Sequence, residues 1–88
     1  MNEDPKLDEL RAQVSVIDTS IIDAFNRRLE LVAQIKRHKG DHGIAFVDPQ
    51  REESMVAHQS RANRGPLSED GLQALYAELL ALTKRELD

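Results

Sequence analysis

An arginine, Arg28, interrupts an otherwise apolar, heptad-like pattern in the first half of the chain. A buried guanidinium without a partner is costly, so an arginine at such a position indicates an anionic partner. Lys39 follows eleven residues later, which on a helix is three turns, about 16 Å of axial rise and about 20° of rotation. Both cations therefore project from one side of the helix and could converge on a small anionic ligand. The alternative is that Arg28 pairs with an acidic residue of another helix or marks the point where a partner helix diverges.

Arg11 is a third cation on the same predicted helix, but it lies too far from Arg28 for the two to share a ligand. The separation of 17 residues corresponds to about 25 Å along the axis and a face about 100° away. An antiparallel partner helix could bring its own Arg11 beside this chain's Arg28. Taken alone, Arg11 is most simply explained as a solvated or snorkelling surface charge.

The segment Asp48-Pro49-Gln50-Arg51-Glu52 combines helix-start chemistry with a pair of carboxylates. Asp48 suits an N-cap position and Glu52 suits a first helical turn, which explains both without a ligand. Asp48 and Glu52 also lie about one turn apart, so both could accept hydrogen bonds from a ligand hydroxyl, with Arg51 holding the pair in place. Spacing alone leaves both interpretations open. Thr83 lies on the apolar stripe of the last helix. A threonine is tolerated at such a position because its hydroxyl can donate to a backbone carbonyl of the preceding turn.

Composition excludes several classes of function. The chain has no cysteine, and its three histidines (His38, His42 and His58) lack metal-ligand spacing, so we expect no metal. It also has no Gly-rich phosphate loop and no nucleotide-binding fingerprint. A formal net charge of −4 argues against nucleic acid as a partner. Apolar runs are too short to cross a bilayer, and the first ten residues lack the apolar core of a secretory signal. We therefore expect a cytoplasmic protein without a membrane segment.

The helix-start signals and apolar patterns predict three helices, and these must position the residues above. The predicted fold class is therefore all-α, with a single domain over residues 1–88. The first begins at Asp4-Pro5 and runs to Gly40, where we expect it to stop. The second runs from Asp48-Pro49 to about Asn63, and the third is capped by Ser68. The seam of the first helix comprises Leu10, Val14, Ile17, Ile21, Ala24, Arg28, Leu31 and Ile35. A helix of roughly 35 residues needs a partner along its length, which predicts an oligomer.

Taken together, these residues resemble the all-helical class of chorismate mutases, which are intertwined homodimers of three-helix chains. The resemblance covers nearly the whole chain, through LRAQVSVID at 10–18, RRLELVAQIKRHK at 27–39, DPQREE at 48–53 and the third helix. Six residues fall in register with the family motif: Arg11, Arg28, Lys39, Asp48, Arg51 and Glu52. DPQREE, followed by NRGP, is also similar to the mutase domains fused to some 3-deoxy-arabino-heptulosonate-7-phosphate synthases.

The resemblance implies a reaction and a role for each site residue. The reaction is the intramolecular [3,3] rearrangement of chorismate to prephenate, which needs no cofactor. Arg28 and the partner's Arg11 would bind the two substrate carboxylates, and Lys39 would donate to the ether oxygen. Glu52, with Asp48, would engage the ring hydroxyl, with Arg51 supporting them. Thr83 stands where the family commonly has a serine near a carboxylate. Lys39, Arg28 and Glu52 are the predicted catalytic residues.

The third helix departs from the family pattern at its end. The family usually has a Gln or Glu there as a second contact to the ether oxygen, and ungapped alignment puts Leu87 at that position. Glu86 or Asp88 could replace it only if the last turn shifts register. Without a replacement we expect a slow mutase. With a carboxylate there, activity should rise at acidic pH, because the carboxyl must be protonated to donate.

Other functions remain open on the same scaffold. Isochorismate-pyruvate lyase and 4-amino-4-deoxychorismate mutase would use similar residues on related substrates, since carboxylates can bind a ring amine as well as a hydroxyl. A hypothesis from a different functional class is a low-activity regulatory or binding module for another shikimate-pathway enzyme. A helical dimerisation module is the simplest alternative, and it predicts that Arg28→Ala would stabilise the protein.

Overall fold

The computed structural model describes residues 4–88 and contains three α-helices in that range, with no strand. They are α1 (Pro5–Asp41), α2 (Pro49–Ala62) and α3 (Glu69–Glu86). The predicted all-α class is therefore confirmed. None of the helices in the described range has the length and hydropathy needed to span a membrane.

Helix α1 begins at the predicted cap. The side-chain Oδ1 of Asp4 accepts a hydrogen bond from the backbone N–H of Leu7 at 3.1 Å, and Pro5 is the first helical residue. Proline suits this position because its missing N–H would have no partner within the helix. The 37 residues of α1 correspond to a rod of about 55 Å.

The end of α1 differs from the prediction, since the helix passes through Gly40 and stops at Asp41. Ile44 N–H bonds to the Lys39 carbonyl at 2.8 Å and Gly43 N–H to the Gly40 carbonyl at 3.4 Å. This pair of bonds is the Schellman motif, which needs a left-handed residue at the helix end. Gly43 supplies it with φ of 65°, so Gly43 rather than Gly40 stops the helix.

The chain divides within α1 into two compact units, Met1–Val32 and Ala33–Asp88. The described part of the first unit is a single helical segment. No residue of α1 is buried, and Val14, Ile17, Ile21 and Ile22 of the first unit are each between 58% and 61% exposed. The apolar seam predicted from the sequence is thus uncovered within one chain.

The second unit contains the last turns of α1 together with α2 and α3. Helices α2 and α3 pack against each other. Asp48 caps α2 by accepting from the Arg51 N–H at 3.1 Å, and Ser68 caps α3 by accepting from the Gly71 N–H at 3.0 Å. Leu72 is the buried apolar residue of the described chain, with 7% exposure. It follows Leu67 at the spacing of a hydrophobic staple.

A hydrogen-bonded cluster joins the end of α2 to the start of α3. The Glu69 carboxylate accepts from the Ser60 hydroxyl and, at 3.0 Å, from the Gln73 side-chain amide. These two hydrogen bonds, the one from Ser60 first, hold the pKa of Glu69 below its ordinary value of 4.5. The cluster lies outside the predicted site and links α2 to α3.

Candidate functional site

Lys39 is half-buried in the last turn of α1, and its ammonium is held by the loop that follows. Its Nζ donates to the backbone carbonyl of Phe46 at 3.2 Å. The Schellman motif at Gly43 turns the chain back, so that Phe46 can approach the helix it has just left. The loop thereby restricts the lysine that the sequence predicts to be catalytic.

Asp48 and Arg51 lie at the start of α2, and both are exposed. The carboxylate of Asp48 accepts from the backbone N–H of Arg51, so the contact between these two residues is an N-cap rather than an ion pair. The helix-cap explanation of Asp48 is therefore confirmed. Its role toward a ring hydroxyl stays a prediction.

Glu52 is the less exposed carboxylate of the predicted pair, and its partner comes from α3. Its Oε1 lies 2.9 Å from Lys84 Nζ, and the two side chains are 22% and 45% exposed, respectively. Sequence reasoning assigned the supporting role to Arg51 and missed Lys84. No local signal identifies this pair, because Glu52 and Lys84 are 32 residues apart and belong to different helices.

Thr83 is the most deeply buried polar residue in the described range, with 4% exposure. Its hydroxyl donates to the Leu79 carbonyl at 2.7 Å, one turn earlier. This is the back-bond expected for a threonine on an apolar helix face. A role for Thr83 near a substrate carboxylate stays a prediction.

The last turn of α3 keeps its register. Leu87 N–H bonds to the Thr83 carbonyl at 3.1 Å, the ordinary helical pairing, and Leu87 is the C-cap. Glu86 and Asp88 are therefore not shifted into the position of Leu87. A different group reaches the backbone here, because Lys36 Nζ donates to the Leu87 carbonyl and lies 5.4 Å from the centre of the Phe46 ring. Sequence reasoning missed Lys36 too.

The remaining predicted cations, Arg11 and Arg28, belong to the first unit. Arg11 is exposed, whereas Arg28 is half-buried and takes part in interactions with its surroundings. The second unit contains the other predicted site residues, which are Lys39, Asp48, Arg51, Glu52 and Thr83.

A shallow groove of about 510 Å³ lies between α2 and α3. Its lining residues are Pro49, Glu52, Glu53, Val56, Ala57 and Gln73. Glu52 is the one predicted site residue on its wall, and Lys39 and Asp48 are absent from it. The lining includes two carboxylates, Glu52 and Glu53, and none of the cations predicted to bind the substrate, so we do not place the predicted site in this groove.

The histidines show no arrangement that would hold a metal. His38 and His42 stack with ring centroids 4.2 Å apart, and His42 Nδ1 lies 2.8 Å from the His38 carbonyl. Within residues 4–88 no group of three or more metal-ligating side chains converges.

Known families and solved structures match the part of the chain that contains the predicted site residues. The family model described as chorismate mutase type II matches residues 10–86. A chorismate mutase from Thermus thermophilus superposes with a TM-score of 0.86 at 28% sequence identity, covering 89% of this chain and 98% of that one. A second form of the same enzyme gives a TM-score of 0.88 and covers 91% of each chain.

Curated relatives are mostly longer proteins. The T-protein of Haemophilus influenzae is 35% identical over 65 residues, which is 73% of this chain and 17% of that protein. The 4-amino-4-deoxychorismate mutase of Streptomyces venezuelae is 35% identical over 51 residues, 58% of this chain and 50% of that protein. A bifunctional chorismate mutase/prephenate dehydratase of Stutzerimonas stutzeri is 25% identical, and this chain spans 24% of it. The chain thus spans half or less of these relatives.

Proposed function

Since the chain belongs to the chorismate mutase type II family, we propose that it catalyses the rearrangement of chorismate to prephenate. The observation that carries this proposal is the match over residues 10–86, which includes every predicted site residue. The fold supports it, because a solved mutase is covered over 98% of its length. The enzyme would be an isomerase, acting in the cytoplasm on the route to aromatic amino acids.

Binding of the substrate is the task of the arginines. Chorismate carries two carboxylates, and guanidinium groups bind carboxylates through paired hydrogen bonds. Arg28 would take one carboxylate, and the partner's Arg11 would take the other. The half-burial of Arg28 strengthens its interaction, because charges attract more strongly away from water. Holding both carboxylates restricts the substrate to the compact conformer in which the two reacting carbons meet.

Stabilisation of developing charge is the task of Lys39. As the carbon–oxygen bond breaks, negative charge builds on the ether oxygen, and a positioned cation lowers the barrier. Lys39 Nζ uses one donor on the Phe46 carbonyl, which leaves its ammonium further donors for the substrate. Glu52, with Asp48, would orient the ring by accepting from its hydroxyl, with Arg51 beside them and Thr83 near a carboxylate.

The working unit would be a homodimer. The apolar residues of α1 are exposed in one chain, several by more than half of their surface. Arg11 also lies about 25 Å along the helix from Arg28, so only a second chain can bring an Arg11 to that site. Some relatives join a mutase to a further enzyme, as in the Stutzerimonas stutzeri protein, so another shikimate-pathway enzyme is a candidate partner.

Chorismate turnover tests the proposal directly. The purified protein is incubated with chorismate, the loss of absorbance is followed, and the product is identified by chromatography and mass. We expect prephenate from the wild type, and a loss of about 10²–10³-fold in kcat for Lys39→Ala, as for comparable charge-stabilising groups.

Arg37→Ala is the matched control, because it removes an exposed cation from the same end of α1. It should leave turnover within about twofold of wild type. Chorismate that survives intact with the wild-type protein would overturn the proposal, and equal turnover in both variants would overturn the role of Lys39.

A second candidate function is supported by one of the relatives. The similarity to the Streptomyces venezuelae 4-amino-4-deoxychorismate mutase favours the amino analogue as an alternative substrate. If the amino analogue is the substrate, the carboxylates of Asp48 and Glu52 would bind its ring ammonium. Supplying both compounds to the same assay distinguishes the two.

A further inference from the structure

The ion pair between Glu52 and Lys84 is a feature that the proposed reaction does not use. Lys84 Nζ lies 2.9 Å from Glu52 Oε1, across the contact between α2 and α3. Within the described residues, Lys84 is the one side chain that forms a hydrogen bond or an ion pair with the Glu52 carboxylate. The side chain of Glu52 is only 22% exposed, and its charge already has an opposite charge beside it before any ligand arrives.

We infer that Lys84 is a specificity-determining residue that makes this site favour a ring hydroxyl over a ring amine. The inference rests on the proposed function, in which Glu52 engages the ring substituent of the substrate. It adds a substrate preference to that function, because carboxylates alone would accept both chorismate and 4-amino-4-deoxychorismate.

A hydroxyl is compatible with the ion pair. An ionised carboxylate has about four lone-pair positions on its two oxygens, and Lys84 occupies a position on Oε1. A neutral hydroxyl can donate to a remaining position without bringing a second charge. Lys84 then orients the carboxylate, which can still accept a hydrogen bond from the ligand.

An amine meets a different environment at the same carboxylate. An alkyl amine is protonated at neutral pH, as the lysine side chain is. Its ammonium would lie close to Lys84 Nζ, since both cations would bind one carboxylate, and like charges at such a distance repel. Lys84 would otherwise have to leave, which breaks the existing pair. Because Lys84 is 45% exposed, solvent and salt weaken this repulsion.

Asp48 does not offset the effect. It is the other carboxylate of the predicted site, but it is exposed and its Oδ1 caps α2 by accepting from the Arg51 N–H. Solvent therefore screens its attraction for a ligand ammonium more than it screens that of Glu52. Lys84 should consequently dominate the preference for the ring substituent.

The test compares kcat/KM for chorismate and for 4-amino-4-deoxychorismate in the full chain and three variants. Lys84→Met removes the charge and keeps the length of the side chain. Arg85→Met is the matched control, because Arg85 is the next basic residue in the last turn of α3 and is exposed. Lys84→Arg restores a cation at position 84.

We expect Lys84→Met to shift the ratio of the two kcat/KM values toward the amine by about tenfold or more, the scale of one partly screened charge contact. Arg85→Met and Lys84→Arg should leave the ratio within about twofold of wild type. A merely structural role for Lys84 would lower both kcat/KM values together and leave their ratio unchanged.

An unchanged ratio in Lys84→Met, with chorismate turned over normally, would overturn the inference and leave the proposed function standing. A wild-type protein that turns over neither compound would overturn the proposed function instead. In that case calorimetric binding of the two compounds to the same four proteins measures the preference without turnover. Equal affinity ratios in wild type and Lys84→Met would again overturn the inference.

Discussion

At the scale of single residues, the informative feature is a charged side chain in a place where an apolar one is expected. Arg28 stands on the seam of α1 and is half-buried, whereas its neighbour Arg27 is 65% exposed and pairs with Glu30 at 3.1 Å. Exposed pairs of this kind contribute little to stability. The two adjacent arginines therefore offer a comparison between a proposed ligand-binding cation and an ordinary surface cation.

We expect Arg28→Ala to weaken binding of a dicarboxylate mimic of the rearrangement transition state by roughly 10²-fold, the value of a desolvated, charge-assisted contact. Arg27→Ala should change the dissociation constant by less than about twofold. Isothermal titration calorimetry on both variants measures this difference. Equal affinities would assign Arg28 to a purely structural role, as a dimerisation module would require.

At the scale of elements, the end of α1 determines where Lys39 can point. The Schellman motif turns the chain at Gly43, and the returning loop brings the Phe46 carbonyl to Lys39 Nζ. Gly40, three residues earlier, is an ordinary helical residue. A Cβ added at either glycine would meet no heavy atom within 4 Å apart from the adjacent residues and the helix's own backbone, so the relevant difference between the two is backbone conformation.

This contrast predicts opposite effects of the same substitution. Gly43→Ala should lower the free energy of unfolding by about 1 kcal/mol, because an L-residue is strained at a φ of 65°. Gly40→Ala should raise it by about 0.5–1 kcal/mol, since alanine favours a helix interior. Chemical denaturation at matched protein concentration checks both. Destabilisation by Gly40→Ala and not by Gly43→Ala would contradict the observed helix end.

At the scale of the whole molecule, the chain leaves its longest apolar surface uncovered. Leu72 is the buried apolar residue of the described range, while the seam of α1 is exposed. Large exposed apolar patches mark interaction sites, so this exposed seam supports the proposed homodimer. The proposed homodimer would cover this seam and supply the second arginine, which would link assembly to substrate binding.

A charge on the seam should therefore disrupt assembly. Ile21 is 58% exposed within one chain, and Ile21→Asp should destabilise the dimer by roughly 2 kcal/mol or more per chain, because it buries a carboxylate and removes an apolar contact. Asn26→Asp adds the same charge at an exposed position on another face of α1 and should leave assembly intact.

Sedimentation equilibrium over a range of protein concentrations measures this prediction. We expect a wild-type dimer, an Asn26→Asp dimer, and an Ile21→Asp protein that is monomeric or partly unfolded. A wild-type monomer at every concentration, or an Ile21→Asp dimer as stable as wild type, would contradict the proposed assembly.

The sequence by itself determined the three helices, their caps and the family. Asp4, Asp48 and Ser68 cap the helices as predicted, because a cap depends on hydrogen bonds to amides two or three residues away. The back-bond of Thr83 was predictable because it, too, joins groups one turn apart. The family was recognisable because its charged residues recur at set spacings, and the match over residues 10–86 confirms it.

Only the tertiary structure decided which partners those residues take. Lys84 reaches Glu52 across 32 residues and Lys36 reaches the Leu87 carbonyl across 51. The sequence offers 12 lysines and arginines, and no local spacing distinguishes the two that make these contacts. The helix end was also undecided, because two nearby glycines can each stop a helix, and the choice depends on which one adopts the left-handed conformation. Local chemistry thus determines the elements, whereas packing between helices determines the environment of the site.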